Sequence, residues 1–70
     1  MEFKGSVKDI IFQNDESGYV VGRLKTDDDL ITFVGTIPFV FTGQLLKLTG
    51  SMIKHQTFGE QLKVDRKSVV

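Results

Sequence analysis

The sequence predicts an all-β domain of five short strands, on three observations. Alanine, the strongest helix former, does not occur. Val, Ile and Thr supply 19 of the 70 residues and six Phe are added, the residue types that suit a pleated, half-buried surface. Turn signals recur at Asn14 to Gly18, Thr26 to Asp29, Pro38 to Gly43 and His55 to Gly59, with no helical periodicity between them. The strands are placed at 2–13, 19–26, 30–37, 44–54 and 58–67.

Alternation supports each strand in turn. In the first, Phe3, Gly5 and Val7 share one face, whereas Ile10 and Phe12 fall on the opposite parity. One extra residue near Lys8–Asp9, a β-bulge, would return both sets to a single core. In the second, Tyr19 and Val21 alternate and are core candidates, and Leu24 follows out of phase with Gly22 between as a kink. The third runs from Leu30 into the Val34-Gly35 pair. In the fourth, Leu46, Leu48, Gly50 and Met52 line up at period two, while Lys47, Thr49 and Ser51 face away. The fifth directs Phe58, Leu62 and Val64 inward. Gly18 is expected to close the first turn at positive φ, and the Asn14 side chain to brace it.

Strands that bend at internal glycines (5, 22, 35 and 50) point to a small, strongly curled barrel. A long first strand with a bulge halfway, serving two sheets, favours a five-stranded Greek-key OB-like barrel. An SH3-like barrel is the alternative. Pro38 to Gly43 is too short and has no apolar stripe, so no helix is expected between strands three and four.

Length and charge bound the function. Seventy residues make one domain, residues 1–70, with a thin margin of stability. With no Cys and a single His, no disulfide and no His/Cys zinc centre can form. No apolar run approaches a membrane span and the N-terminus has no signal-peptide layout, so a cytoplasmic domain without a membrane partner is expected. The net charge is zero, which argues against a strong polyanion binder. It is unevenly spread: residues 1–35 sum to −3 and residues 36–70 to +3.

The constellations of catalysis are missing. A phosphate-binding P-loop needs glycines five apart followed by Lys and Ser/Thr, and no Gly-Lys pair exists. No Ser sits in a nucleophile-elbow sequence to use His55. Asp27-Asp28-Asp29 lacks the spacing and closing Glu of a calcium loop, and reads as a solvated hairpin tip. The fourth-to-fifth turn is more suggestive: Lys54, His55 and Phe58 bring a cation, an imidazole and an aromatic ring together. OB barrels bind single strands across strands two and three, between the 1–2 and 4–5 loops. The candidate nucleic-acid contacts are Arg23, Lys25, Phe33, Lys54, His55 and Phe58. Against them stands the acidic 1–2 turn with Asp15 and Glu16. A docking alternative rests on Phe39 and Phe41, which form a sticky patch if exposed and plug the barrel end if folded inward.

Two stretches carry a resemblance. The first is Gly5-Ser-Val7-Lys-Asp-Ile10-Ile-Phe12-Gln-Asn14-Asp-Glu16-Ser-Gly18-Tyr19-Val-Val21 followed by Leu24. The second is Val34-Gly35, Pro38, Gly43, Leu46, Leu48, Gly50, His55, Phe58-Gly59, Gln61 and Val64. Together they resemble the N-terminal segment of RecD-like DNA helicases, the stand-alone relatives of the exodeoxyribonuclease V alpha subunit. Met52 stands where that family often has Trp, and Phe58 where it often has Tyr.

The resemblance implies a non-catalytic OB-like domain, an excised N-terminal fragment of an ATP-dependent 5′-3′ helicase of DNA recombination and repair. ATP and Mg²⁺ are implied only for the parent's motor domains, so no cofactor is expected in this chain. The implied partners are those motor domains and, weakly, single-stranded DNA; the isolated domain is expected to be a monomer.

Overall fold

The computed structural model describes residues 1–57 and 59–69. Five strands form, β1 (Glu2–Gln13), β2 (Tyr19–Lys25), β3 (Leu30–Thr36), β4 (Leu45–His55) and β5 (Gly59–Val69). They close in the order β1-β2-β3-β5-β4. Every neighbouring pair is antiparallel except β3 and β5, which run parallel. This is an OB-type barrel with no helix among the described residues, and the SH3-like alternative drops out. No helix among the described residues is long and apolar enough to cross a membrane.

β1 serves two neighbours. Glu2 to Ser6 pair with β4, and Ser6 to Gln13 pair with β2. The strand turns its corner at Gly5, where a Cβ would run into the Lys25 carbonyl oxygen. β4 does the same at Gly50, where its register with β5 shifts and a Cβ would strike the Lys63 carbonyl. Glycine is demanded at these two positions by the close approach of another backbone.

The bulge expected in β1 is present: Val7 pairs with Leu24 and Asp9 with Arg23, leaving Lys8 as the extra residue. A second shift follows, with Ile10 opposite Gly22 and Phe12 opposite Val21, so Ile11 is also extra. This second bulge corrects the expectation for Phe12. Ile10 packs against the core, but Phe12 is turned out to solvent, 52% exposed.

β2 requires a larger correction. Val20, Gly22 and Leu24 face inward, and Tyr19, Val21 and Arg23 face outward. The strand pairs with β3 residue by residue from Tyr19↔Thr36 to Lys25↔Leu30. There is no kink at Gly22; its missing side chain makes room for the Phe33 ring, which a Cβ would meet at 2.8 Å.

Inside the barrel, Val7, Val20, Leu24, Phe33, Ile37, Val40, Leu46, Leu48 and Leu62 form one buried cluster, with Phe3, Ile10, Ile31, Met52 and Val64 packed around it. Ile37 and Val40 enter this core from the β3–β4 connection. The two phenylalanines between and after them do not: Phe39 is 86% exposed and Phe41 59%. The plugging role considered for these rings belongs to the aliphatic pair instead. Phe39 also holds a left-handed backbone (φ 62°), which costs a bulky L-residue about 1–2 kcal/mol. The loop is tied down by Lys67 Nζ, which donates to the Pro38 carbonyl at 2.8 Å, and by Gly43 N–H, which donates to the Val7 carbonyl at 2.7 Å.

Candidate nucleic-acid interface

The two β1 bulges and the outward parity of β2 build one surface. Ile11 and Phe12 from β1, Tyr19, Val21 and Arg23 from β2, Thr32 and Val34 from β3, His55 from β4 and Gln61 from β5 line an open groove of about 450 Å³. That volume lies in the range of ligand sites. Cross-strand pairing sets its rows: Phe12 lies opposite Val21 and Val21 opposite Val34, and beside them Asp9 lies opposite Arg23 and Arg23 opposite Thr32. Val34 is buried although it lies outside the interior cluster; it forms the apolar floor.

Two aromatic rings stand on the rim. Phe12 and Tyr19 have ring centroids 6.4 Å apart and planes inclined by 58°, a tilted pair in the favourable range. Tyr19 is 40% exposed. The turn that connects their strands is tight. Asn14 N–H donates to the Tyr19 carbonyl and Gly18 N–H to the Asn14 carbonyl, both at 2.8 Å. The Asn14 Oδ1 accepts from Glu16 N–H at 2.9 Å and Ser17 N–H at 3.2 Å, and Gly18 has φ 78°. The expected roles of Asn14 and Gly18 hold, and the turn fixes Tyr19 against Phe12.

Charge on the groove is muted. Arg23 donates from Nε to Asp9 Oδ1 at 2.8 Å and from Nη2 to Asp9 Oδ2, a fork-on-fork pair. The hydrogen bond from Arg23 holds the Asp9 carboxyl below its usual range, and the same bond raises the guanidinium of Arg23. Arg23 therefore reaches the groove already neutralised. Lys63 lines a hollow that shares Tyr19 and Val34 with the groove.

The six residues expected at the interface are dispersed. Arg23 and His55 line the groove. Lys25 lies elsewhere, in a hollow with Lys8 and the Asp27 to Asp29 turn. Phe33 is wholly enclosed in the core and presents no face to a ligand; this overturns its assignment as a surface aromatic. Lys54 is exposed on the β4–β5 hairpin, and the His55 Nδ1 accepts from Thr57 N–H at 3.0 Å within that turn. Phe58 lies outside the described residues. Sequence reasoning missed Phe12, Tyr19, Ile11 and Val21 by assigning three of them to the core. The phase of Leu24 was the available signal: with Leu24 inside, unbroken alternation turns Tyr19 and Val21 out.

Among the described residues no group of three or more His, Cys, Asp or Glu side chains could hold a metal ion. In sequence comparison, residues 1–69 match a family described as the OB-fold domain of the ATP-dependent DNA helicase YrrC. A search of curated proteins finds no match.

Proposed function

We propose, from the premise that this chain belongs to the family of OB-fold domains of the ATP-dependent DNA helicase YrrC, that this accessory helicase domain holds single-stranded DNA on the outer face of β1, β2 and β3. The observation that carries the reading is the exposed Phe12–Tyr19 pair on the rim of an apolar groove. Bases stack on aromatic faces with about 1–3 kcal/mol each and little regard to sequence. Few phosphates are engaged, because Arg23 is paired with Asp9, Asp15 and Glu16 flank the rim, and the net charge is zero. Binding is therefore weak, dominated by stacking, and shallow in its salt dependence. On this reading ATP and Mg²⁺ act in the parent's motor domains, and this domain supplies contact without chemistry.

Fluorescence anisotropy of a labelled single-stranded oligonucleotide tests this, with the parent domain against a Phe12→Ala/Tyr19→Ala variant of verified fold. The expected result is saturable binding by the parent and a loss of about tenfold or more in the variant. Equal binding by the two would move the contact to another surface.

One observation favours a second role beside the first. Phe39 and Phe41 project from a loop held by Lys67, and Phe39 keeps a costly backbone while contributing almost nothing to the core. Strain kept at an exposed aromatic suits a docking contact with the motor domains of the parent helicase. Loss of domain–motor association in a Phe39→Ser/Phe41→Ser helicase, with oligonucleotide binding by the domain intact, is the expected signature.

A further inference from the structure

One polar group at the groove is unexplained by stacking. Gln61 is only 6% exposed, yet its side-chain amide is not among the sealed polar atoms left without a partner, a place that Gln44 Oε1 alone takes among the described residues. Its neighbour Leu62 points into the core, so alternation along β5 turns Gln61 to the outer face, where it lines the groove. The parallel register Phe33↔Leu62 sets Thr32 beside it, and Thr32 also lines the groove. An amide that is not sealed in the core and that lines an open groove can reach what enters that groove. Here the amide keeps two donors and one acceptor directed at a space that a ligand can enter.

The geometry points to Gln61 as a reader of unpaired bases: a base stacked on the Phe12–Tyr19 rim lowers its Watson–Crick edge onto the Gln61 amide. This rests on the single-strand reading above and gives it a selectivity. On that edge each of the four bases sets a hydrogen-bond donor beside an acceptor, a pattern that one primary amide matches bidentately by orienting its O and NH₂. In a duplex the same edge is consumed by the partner strand. The groove thus discriminates single from double strands through Gln61, without reading sequence.

The test uses three labelled oligonucleotides of equal length: unmodified oligo-dT, oligo-dT with N3-methylthymine throughout, and an abasic strand. N3-methylation removes the donor and blocks the edge while leaving the ring free to stack. The parent domain is expected to bind unmodified oligo-dT about tenfold tighter than the methylated strand, and the abasic strand weakest. Gln61→Leu removes the amide at similar volume. It is expected to bind the two thymine strands within about twofold of each other, and to unfold at a temperature no lower than the parent, because the base-reading role needs no bond from this amide to the fold. Gln61→Met is the second variant should the branched side chain impair folding. Binding by the parent that is indifferent to methylation would overturn the base-reading role and leave the stacking surface standing. A fall in the unfolding temperature of both variants would mean that the amide serves the fold, and would overturn it too. No binding of any strand by the parent would remove the single-strand reading and this inference together.

Discussion

Two regions of this domain each expose a pair of aromatic rings, and they are built in opposite ways. Phe12 and Tyr19 stand on adjacent strands, touch each other, and are braced by a five-residue turn with four backbone and side-chain bonds at Asn14. Phe39 and Phe41 stand on a connection whose inward residues, Ile37 and Val40, do the packing, and one of the pair holds a left-handed backbone. The first pair borrows the rigidity of the sheet and borders an apolar groove that Gln61 also lines. The second stands exposed on a loop that Lys67 and Gly43 tie down through its backbone. Exposure alone does not make a site: the support beneath the ring decides whether it can order a flexible strand or only meet a preformed surface.

The largest expected effect belongs to an aromatic ring in neither region. Phe33→Ala empties the centre of the core and is expected to cost about 3–5 kcal/mol, enough to unfold much of a domain this small in thermal or urea denaturation. Phe12→Ala and Tyr19→Ala, by contrast, should each cost less than about 1 kcal/mol of stability as partly exposed residues, while weakening oligonucleotide binding about five- to tenfold. If either unfolds the domain as Phe33→Ala does, the separation between stabilising and binding aromatics fails.

The loop pair sharpens the contrast in the other direction. Phe39→Asn places a residue tolerant of left-handed φ at an exposed position, and is expected to raise stability by about 1 kcal/mol in urea unfolding with DNA binding unchanged. No comparable gain is available at Phe12 or Tyr19, neither of which has positive φ.

The smallest effect concerns the Asp9–Arg23 pair that mutes the groove. The Asp9 pKa is depressed by the Arg23 hydrogen bond to below its ordinary 3.8, so the folded state favours the ionised form. Its contribution to stability is full above the unfolded pKa and is lost as pH falls through the lower folded value. Both side chains are more than a third exposed, so solvent screening keeps the contribution small. The urea midpoint of Asp9→Asn should lie slightly below that of the parent at pH 6, and the difference should shrink as pH falls below the ordinary 3.8. The same variant frees Arg23, and should steepen the salt dependence of DNA binding by about one phosphate contact.

The barrel itself was legible in the sequence, because glycines at the corners, turn residues and period-two alternation in β4 all agree on five strands. The outer face was not. Ile10, Ile11 and Phe12 are consecutive apolar residues, so periodicity could not reveal a second bulge between them. In β2, Tyr19, Val20 and Val21 posed the same ambiguity, and resolving it by size, with the ring inward, inverted the strand. Phe33 and Val34 were ambiguous for the same reason, and the ring that was expected outside went in. Charged residues misled differently: Arg23 does line the groove, but its pairing with Asp9 depends on the first bulge, which brings residues 14 apart in sequence into register.

The most direct test of the groove uses the protein's own probe. Tyr19 is the single Tyr and there is no Trp, so intrinsic emission reports this rim. Titration with an unlabelled single-stranded oligonucleotide, corrected for its absorbance, should quench Tyr19 emission along the same saturation curve that anisotropy records. Binding seen by anisotropy with Tyr19 emission unchanged would contradict the assignment of the groove as the DNA contact.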